Sequence, residues 1–412
     1  MALSQQAWSR RKFITTTAGA GAILVLNPSI GWAFDVTDPK VAAIVAKTMG
    51  IDAHNHVDVP LNTPELPGPK LNLVGEMKKS GLSAITVAFA VDYQQLKNPG
   101  EAYERFINGL TATDKVLADN NMKRALTLAD LKTAKKNNVP TVIQSVEGGH
   151  FLEGKIERLE VAYKRGLRHI TLLHDHDASV PLGDVFTNPE QFGGLTAFGA
   201  DVIKECNRLG ILVDLSHGTN DMVNMALKIA AKPVLVSHTG LDTQLGQNEN
   251  MAKMMKPRLI SKEQAKIVAN AGGVIGVWTH LADTPLEYAQ NIKAMVDVVG
   301  IDHVCIGTDT KLTPAYRSPN AQDFKPGGQG LQQGGNANHK DGTKPDGQKG
   351  PGGDKPKGGM GGGTNQAWKD QKEGFYYTVV DALLKVGFNE EEISKIGGGN
   401  YCRVFDAATK GH

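Results

Sequence analysis

Disulfide chemistry has almost nothing to work with in this chain: 412 residues carry three cysteines, Cys206, Cys305 and Cys402, widely spaced and odd in number. Close cysteine pairs, the mark of a disulfide scaffold or a structural zinc module, are missing. The three read instead as buried apolar thiols, and Cys305 sits in His303-Val304-Cys305-Ile306-Gly307, where a core-facing residue is expected. Net charge is scarce too. Lys+Arg 45 against Asp+Glu 43 leaves +2, which gives no reason to expect nucleic acid or an acidic membrane surface as a partner. No apolar run reaches the ~20 residues that a bilayer-spanning helix needs, so no stable membrane span is expected. The remaining balance, 40% hydrophobic and 21% charged residues, is that of an ordinary globular protein. Function has to be argued from particular residues.

The amino terminus has a composition of its own. Ser9-Arg10-Arg11-Lys12-Phe13-Ile14 precedes a mild apolar stretch over 18–26 and then Gly31-Trp32-Ala33. This arrangement resembles a twin-arginine export signal with a small-residue cleavage site after Ala33. It predicts the twin-arginine export machinery as a partner, a soluble mature chain from 34 onward, and a periplasmic or secreted destination. Segment 325–363 is dominated by Gly, Pro, Lys, Asp, Gln and Asn. It cannot bury enough apolar surface to offset its ordering entropy, and so reads as a flexible Gly-rich insertion after the last strand. A solvated loop is favoured there over a lid, with His339 a loop histidine.

Eight short apolar runs bounded by turn residues predict strands at 51–57, 83–90, 141–146, 169–174, 212–217, 234–238, 273–278 and 303–309. Their apolar residues are continuous rather than alternating, as in parallel strands buried on both faces. Amphipathic stretches at 71–80, 101–119, 195–209, 220–230, 261–271 and 285–299 predict intervening helices, and a closing helix is expected over about 365–386. Asn220 is a candidate cap, and Ser261 with Gln264 a candidate capping box. The alternation predicts an α/β fold, a (β/α)8 TIM-type barrel over 34–412. An open doubly wound sheet is the rival, because a strand count does not prove closure.

Six of the runs end on His, Asp or Glu, namely His54 and His56, Glu147, His174, His217, His238 and Asp309. The carboxyl ends of barrel strands converge on one rim, and imidazoles and carboxylates gathered there are ligands for divalent metal. His54 and His56, at i and i+2, share a strand face and can grip one ion. Glu147 can bridge two cations and lessen their repulsion, while Gly148-Gly149 permits close backbone approach. Asp214-Leu215-Ser216-His217 and Leu235-Val236-Ser237-His238 end in the same Ser-His pair, one helix and one strand apart, which presents two histidines to a shared ion. Asp214, out of phase with His217, reads as a supporting acceptor. Asp309 is placed to steer a proton from metal-activated water, whose pKa falls to roughly 7. His174 can polarise a substrate carbonyl; His176 and Asp177 belong to the loop beyond, and His150 bonds locally. Arg258 offers a bidentate fork for a substrate carboxylate, although a solvated surface arginine is the plainer reading.

Asp52-Ala53-His54-Asn55, Val146-Glu147-Gly148-Gly149, Leu172-Leu173-His174, Asp214-Leu215-Ser216-His217, the run 233–238, Ile306-Gly307-Thr308-Asp309 and the closing Gly399-Asn400-Tyr401-Cys402-Arg403-Val404-Phe405 together resemble the membrane dipeptidases. These are also called renal dipeptidase-like zinc peptidases, within the metal-dependent amidohydrolases. The likeness runs from about 41 to 407, interrupted by the Gly-rich insertion. It implies two divalent ions, most simply Zn2+: one on His54 and the residue two further on, His56, the other on His217 and His238, with Glu147 bridging. It also implies substrate contacts from His174 and Arg258, Asp309 as catalytic acid/base, and hydrolysis of a dipeptide amide bond by a hydroxide between the ions. Three positions depart from the family pattern. His56 stands where the family has aspartate, with Asp58 on the same face to compensate. Asp175-His176-Asp177-Ala178 replaces the usual polar pattern after His174, and Thr310-Lys311-Leu312 replaces Phe-Asp-Gly after Asp309. Two further readings keep the same residues: a binuclear metal hydrolase acting on a lactone, an N-acyl amino acid or another small amide, and a periplasmic metal- or ligand-binding barrel without turnover. A homodimer is compatible with each.

Overall fold

The computed structural model describes residues 38–316, 363–369 and 371–412. The export-signal segment 1–33 and residues 325–362 of the Gly-rich segment lie outside the described residues. Each of the eight apolar runs forms a strand: β1 Ile51–His56, β2 Ala84–Ala88, β3 Thr141–Gln144, β4 His169–Thr171, β5 Leu212–Asp214, β6 Leu235–Thr239, β7 Val274–Val277 and β8 Val304–Ile306, followed by a short β9, Thr310–Lys311. Every residue of β1 to β8 is buried. That is why the runs are continuous rather than alternating: helices cover one face of the sheet and the barrel interior the other.

The strands pair in parallel, in the orders β3-β2-β1-β9 and β4-β5-β6-β7-β8. Bridges between Gln144 and Leu167 and between Glu147 and Thr171 join the end of β3 to β4. On the other side β8 runs through Gly307-Thr308-Asp309 into β9, whose Thr310 pairs with Asn55 of β1. An open sheet would leave both of these seams unbonded, so the arrangement is the (β/α)8 barrel and not the doubly wound rival.

Several elements differ in detail from the sequence expectation. β4 and β5 stop at Thr171 and Asp214, three residues short of His174 and His217, because the chain leaves the ladder at the rim. His217 and Asp309 turn with φ of +69° and +54°, a left-handed conformation that few non-glycine residues adopt. The cap expected at Asn220 falls one residue earlier, where Thr219 accepts the Met222 N–H. Only half of the Ser261 capping box forms, since the Gln264 side chain donates to Asn224 Oδ1 (3.0 Å) instead of turning back. The closing helix is Phe375–Lys385, preceded by a short turn at Thr364–Gln366. Its start follows Gly374, which passes so close to Lys79 that an added Cβ would lie 1.8 Å from that carbonyl oxygen. Cys206 and Cys305 are buried as expected; Cys402 is half-buried. No helix among the described residues is long and apolar enough to cross a membrane.

The end of the barrel away from the rim is filled from within. Ile51, Ala84, Ile143, Leu212, Leu235, Val274 and Cys305 form one buried layer, and Tyr401, Val404, Phe405 and Ala408 of the last helix, Asn400–Thr409, pack into it. Nearer the rim, a Cβ on Gly276 or Gly307 would lie 1.8 or 1.7 Å from the Ser237 carbonyl oxygen, so this crossing of β6, β7 and the β8 exit requires glycine. Gly307→Ala is expected to lower stability by about 1–3 kcal/mol, read as a shift of the denaturant midpoint; an unmoved midpoint would show that the backbone accommodates the methyl.

Candidate metal centre

Glu147 follows β3 at the rim and is 2% exposed. Its N–H donates to the Phe89 carbonyl (3.0 Å), and Gly148, at φ +87°, turns the chain away immediately afterwards. Five imidazoles surround its carboxylate, all with Nε2 turned inward. Nε2 of His54, His217 and His238 lie 3.3, 3.0 and 3.6 Å from Oε1, and those of His174 and His56 lie 3.5 and 3.9 Å from Oε2.

Each of the five rings is held from behind through Nδ1. Ser237 Oγ faces His238 (2.9 Å) and His54 (3.3 Å), Tyr93 OH faces His56 (3.3 Å), and Asp92 Oδ1 faces His174 (2.6 Å). Asp175 Oδ1 stands 3.2 Å from His217 Nδ1, an ion-pair contact. Ser237 in turn donates to Asp214, which also accepts from the Ser237 N–H (2.9 Å), Ser216 Oγ (2.9 Å) and Thr171 Oγ1 (2.7 Å). Asp214 is thus the supporting acceptor that its phase suggests. An imidazole donating from Nδ1 presents its lone pair at Nε2, the form that ligates metal.

The donor set fits divalent cations. His54 Nε2 and Glu147 Oε2 are buried without a hydrogen-bond partner, a state that costs about 1–3 kcal/mol for each such group. Nε2 of His217 and His238 face one another at 3.0 Å. Cations among these atoms would satisfy them together. Three trios have ligand atoms within 4.8 Å of one another, the first two sharing His54: His54, His56 and Asp309; His54, Asp214 and His238; Glu147, His174 and His217.

Electrostatics follows from the same crowding. Burial opposes ionisation of Glu147, but His174 and His54 outweigh it and hold the carboxyl well below the usual range. Burial and the neighbouring His54 push His238 down to about 3, which keeps it neutral. His54 and His217 are raised to about 9 despite burial, the first chiefly by Glu147 and the second by Asp175 and Glu147. A metal ion arriving there displaces protons.

The sequence-derived residues therefore converge: His54, His56, Glu147, His174, His217, His238 and Asp309 all meet. Asp309 Oδ1 lies 3.1 Å from His56 Nε2. Asp58 does not join them. Its carboxylate is engaged by Lys311 Nζ (2.6 Å) and the Tyr316 N–H (3.2 Å), so the carboxylate beside His56 is Asp309 instead. Arg258 lies at the mouth, lining a cavity of about 210 Å³ with His217, His238, Phe186 and Trp278. Its Nη2 donates to both oxygens of Asp175 (3.0 and 2.8 Å). His150 does not bond within its own turn as expected: its Nε2 meets the His176 carbonyl (2.9 Å) in the loop after β4.

Sequence reasoning missed Asp92, Tyr93 and Asp175 as supports, and also His280, whose Nε2 is 2.8 Å from Asp309 Oδ2. His280 and Asp92 follow β7 and β2, so the strand-end rule extended by a few residues reaches them. Asp52, which opens the Asp52-Ala53-His54-Asn55 run, is a further support. It accepts from the Thr308 N–H (2.8 Å), Thr308 Oγ1 (2.6 Å) and Asn55 Nδ2 (2.8 Å), tying β1 to the turn that delivers Asp309.

Imidazoles and carboxylates gathered at one rim of a (β/α)8 barrel form a candidate divalent-metal site of the metal-dependent hydrolase kind. The chain belongs to the membrane dipeptidase family, peptidase family M19, whose model matches residues 39–317. An uncharacterized dipeptidase of Schizosaccharomyces pombe is 28% identical over 257 residues, which is 57% of this chain and 60% of that protein; the match thus spans less than two thirds of the relative. Among solved structures, an amidohydrolase from Pseudomonas aeruginosa is similar at TM-score 0.64 and 21% identity, covering 89% of this chain and 98% of that one. A metallopeptidase from Rhodobacter sphaeroides, liganded with a phosphinate mimic of the dipeptide L-Ala-D-Ala, is similar at TM-score 0.59 and 15% identity, covering 88% and 100%. At these identities the structural likeness speaks for the fold.

Asp92 orients His174 through the shortest of the Nδ1 contacts. Asp92→Asn is expected to lower kcat/KM on a dipeptide about 10–100-fold; unchanged steady-state kinetics would show that His174 needs no such support.

Proposed function

We propose that this chain hydrolyses the amide bond of dipeptides and dipeptide-like small molecules at two divalent ions, most simply zinc. The observation that carries the reading is the buried Glu147 carboxylate with five imidazole Nε2 atoms turned toward it. His54, His56 and Glu147 would hold one ion, and Glu147, His217 and His238 the other. The chemistry such ions would supply is hydroxide near neutral pH and Lewis acidity toward the scissile carbonyl. Asp309, with Oδ2 steadied by His280, takes and returns a proton at Oδ1. Burial would raise its pKa, but His238, His280 and His56 hold it well below the usual range, so it is an acceptor at neutral pH. His174, whose Nδ1 faces Asp92, is favoured as the imidazolium by Glu147 and Asp92 despite burial, and in that form it donates from Nε2 to a carbonyl oxygen as charge builds there. The dipeptide mimic bound by the Rhodobacter relative supports the substrate class.

The second reading, a lactone, N-acyl amino acid or other small amide as substrate, is favoured by one observation: Arg258, the expected carboxylate anchor, is already engaged by Asp175. Stoichiometric metal without hydrolysis across a panel of dipeptides and lactones would support a binding barrel instead. Glu147→Ala and His217→Ala are each expected to abolish turnover that EDTA removes and zinc restores in the unaltered protein; substantial activity in either variant sinks the assignment.

We also propose that residues 1–33 direct export of the folded barrel by the twin-arginine route, on the strength of Ser9-Arg10-Arg11-Lys12-Phe13. Replacing Arg10 and Arg11 with lysine is expected to leave the protein in the cytoplasm, as read by cell fractionation. Undiminished export would refute the signal.

A further inference from the structure

We propose that Asp175 sets substrate choice by neutralising Arg258, so that the pocket takes dipeptides whose carboxyl end is uncharged, as an amide or ester, in preference to free acids. The inference rests on the hydrolytic reading above and names the substrate class within it. Arg258 Nη2 donates to both Asp175 oxygens, at 3.0 and 2.8 Å, where a substrate carboxylate would otherwise be received. Asp175 is fixed from a second side by His217 Nδ1 at 3.2 Å. Arg258 is fixed as well, its guanidinium carbon 5.2 Å from the centre of the Phe186 ring, which itself lies 5.4 Å from the His217 ring. The Phe186 N–H donates to the His217 carbonyl (3.0 Å), so the aromatic support is tied to the metal centre.

Among the described residues lining this cavity, Arg258 is the only lysine or arginine. A free carboxylate entering beside it meets Asp175 as a like charge, and the Arg258 Nη2 it would seek already donates to both oxygens of that carboxylate. The lining mixes apolar Val236, Leu259 and Trp278 with uncharged polar Thr219, Asn220 and Gln264, groups that can meet an amide or ester end without a cation. Selection here comes from an element that repels the wrong substrate as well as from contacts to the right one. Asp175 acts through Arg258; it is a specificity residue and handles no proton.

The experiment compares kcat/KM for one dipeptide as free acid and as C-terminal amide, using the zinc-loaded full chain. The unaltered protein is expected to favour the amide, and Asp175→Asn to shift the ratio toward the free acid by roughly tenfold or more. Asp175→Glu, which keeps the charge, is expected to retain the original preference. Any weakening of metal binding through His217 is common to both substrates and cancels in the ratio. Calorimetry with a phosphinate dipeptide mimic, as free acid and as ester, reads the same preference without turnover. A ratio unmoved by Asp175→Asn, or tighter binding of the free acid by the unaltered protein, overturns the role of Asp175. Absence of hydrolysis with the ester-binding preference intact overturns only the hydrolytic reading.

Discussion

A carboxylate buried among five imidazoles is the constraint on which this structure turns. Glu147 lies 2% exposed at the rim, and a charge taken out of water is tolerated only when it is paired and hydrogen-bonded. The histidines supply the pairing, and each must be aimed. Aiming them requires Ser237, Tyr93, Asp92 and Asp175 behind the rings, and Asp214 behind Ser237. One buried charge therefore propagates into two shells of oriented polar groups drawn from every side of the barrel.

The barrel meets this demand through its backbone as much as its side chains. His217 and Asp309 adopt left-handed conformations at the rim, the kind of local strain, about 1–3 kcal/mol, that surrounding structure must over-determine. Asp52 does so for Asp309, by holding Thr308 against β1. For His217 the support is the Phe186 N–H on its carbonyl and the Asp214 contacts to Ser216. Gly276 and Gly307 let β7 and β8 pass close to Ser237, which is the residue that orients two of the imidazoles.

Much of this was legible in the sequence, for identifiable reasons. Continuous apolar runs mark strands buried on both faces, and their polar endings mark the rim, so the ligand-type residues could be read in order. Asp92 and His280 escaped because the apolar character of β2 continues through Phe89-Ala90-Val91 and that of β7 through Trp278, placing the polar residue several positions beyond the strand. The Asp175–Arg258 pair was not readable at all, since it joins residues 83 apart and depends on how two rim loops fold back. Asp58 illustrates the converse: its spacing puts it on the right face of the strand, but a nearby lysine, Lys311, claims its charge. Spacing identifies which residues can meet, and competition among charges decides which do.

The last helix, with Tyr401 and Phe405 fully buried against the inner layer of the strands, closes the barrel floor. The fold is consequently a cup and not a tube. With the floor filled, Glu147 is approached among the described residues from the rim, the end at which Arg258 and Asp175 are paired. Binding and release therefore both take place beside the two loops that carry that pair.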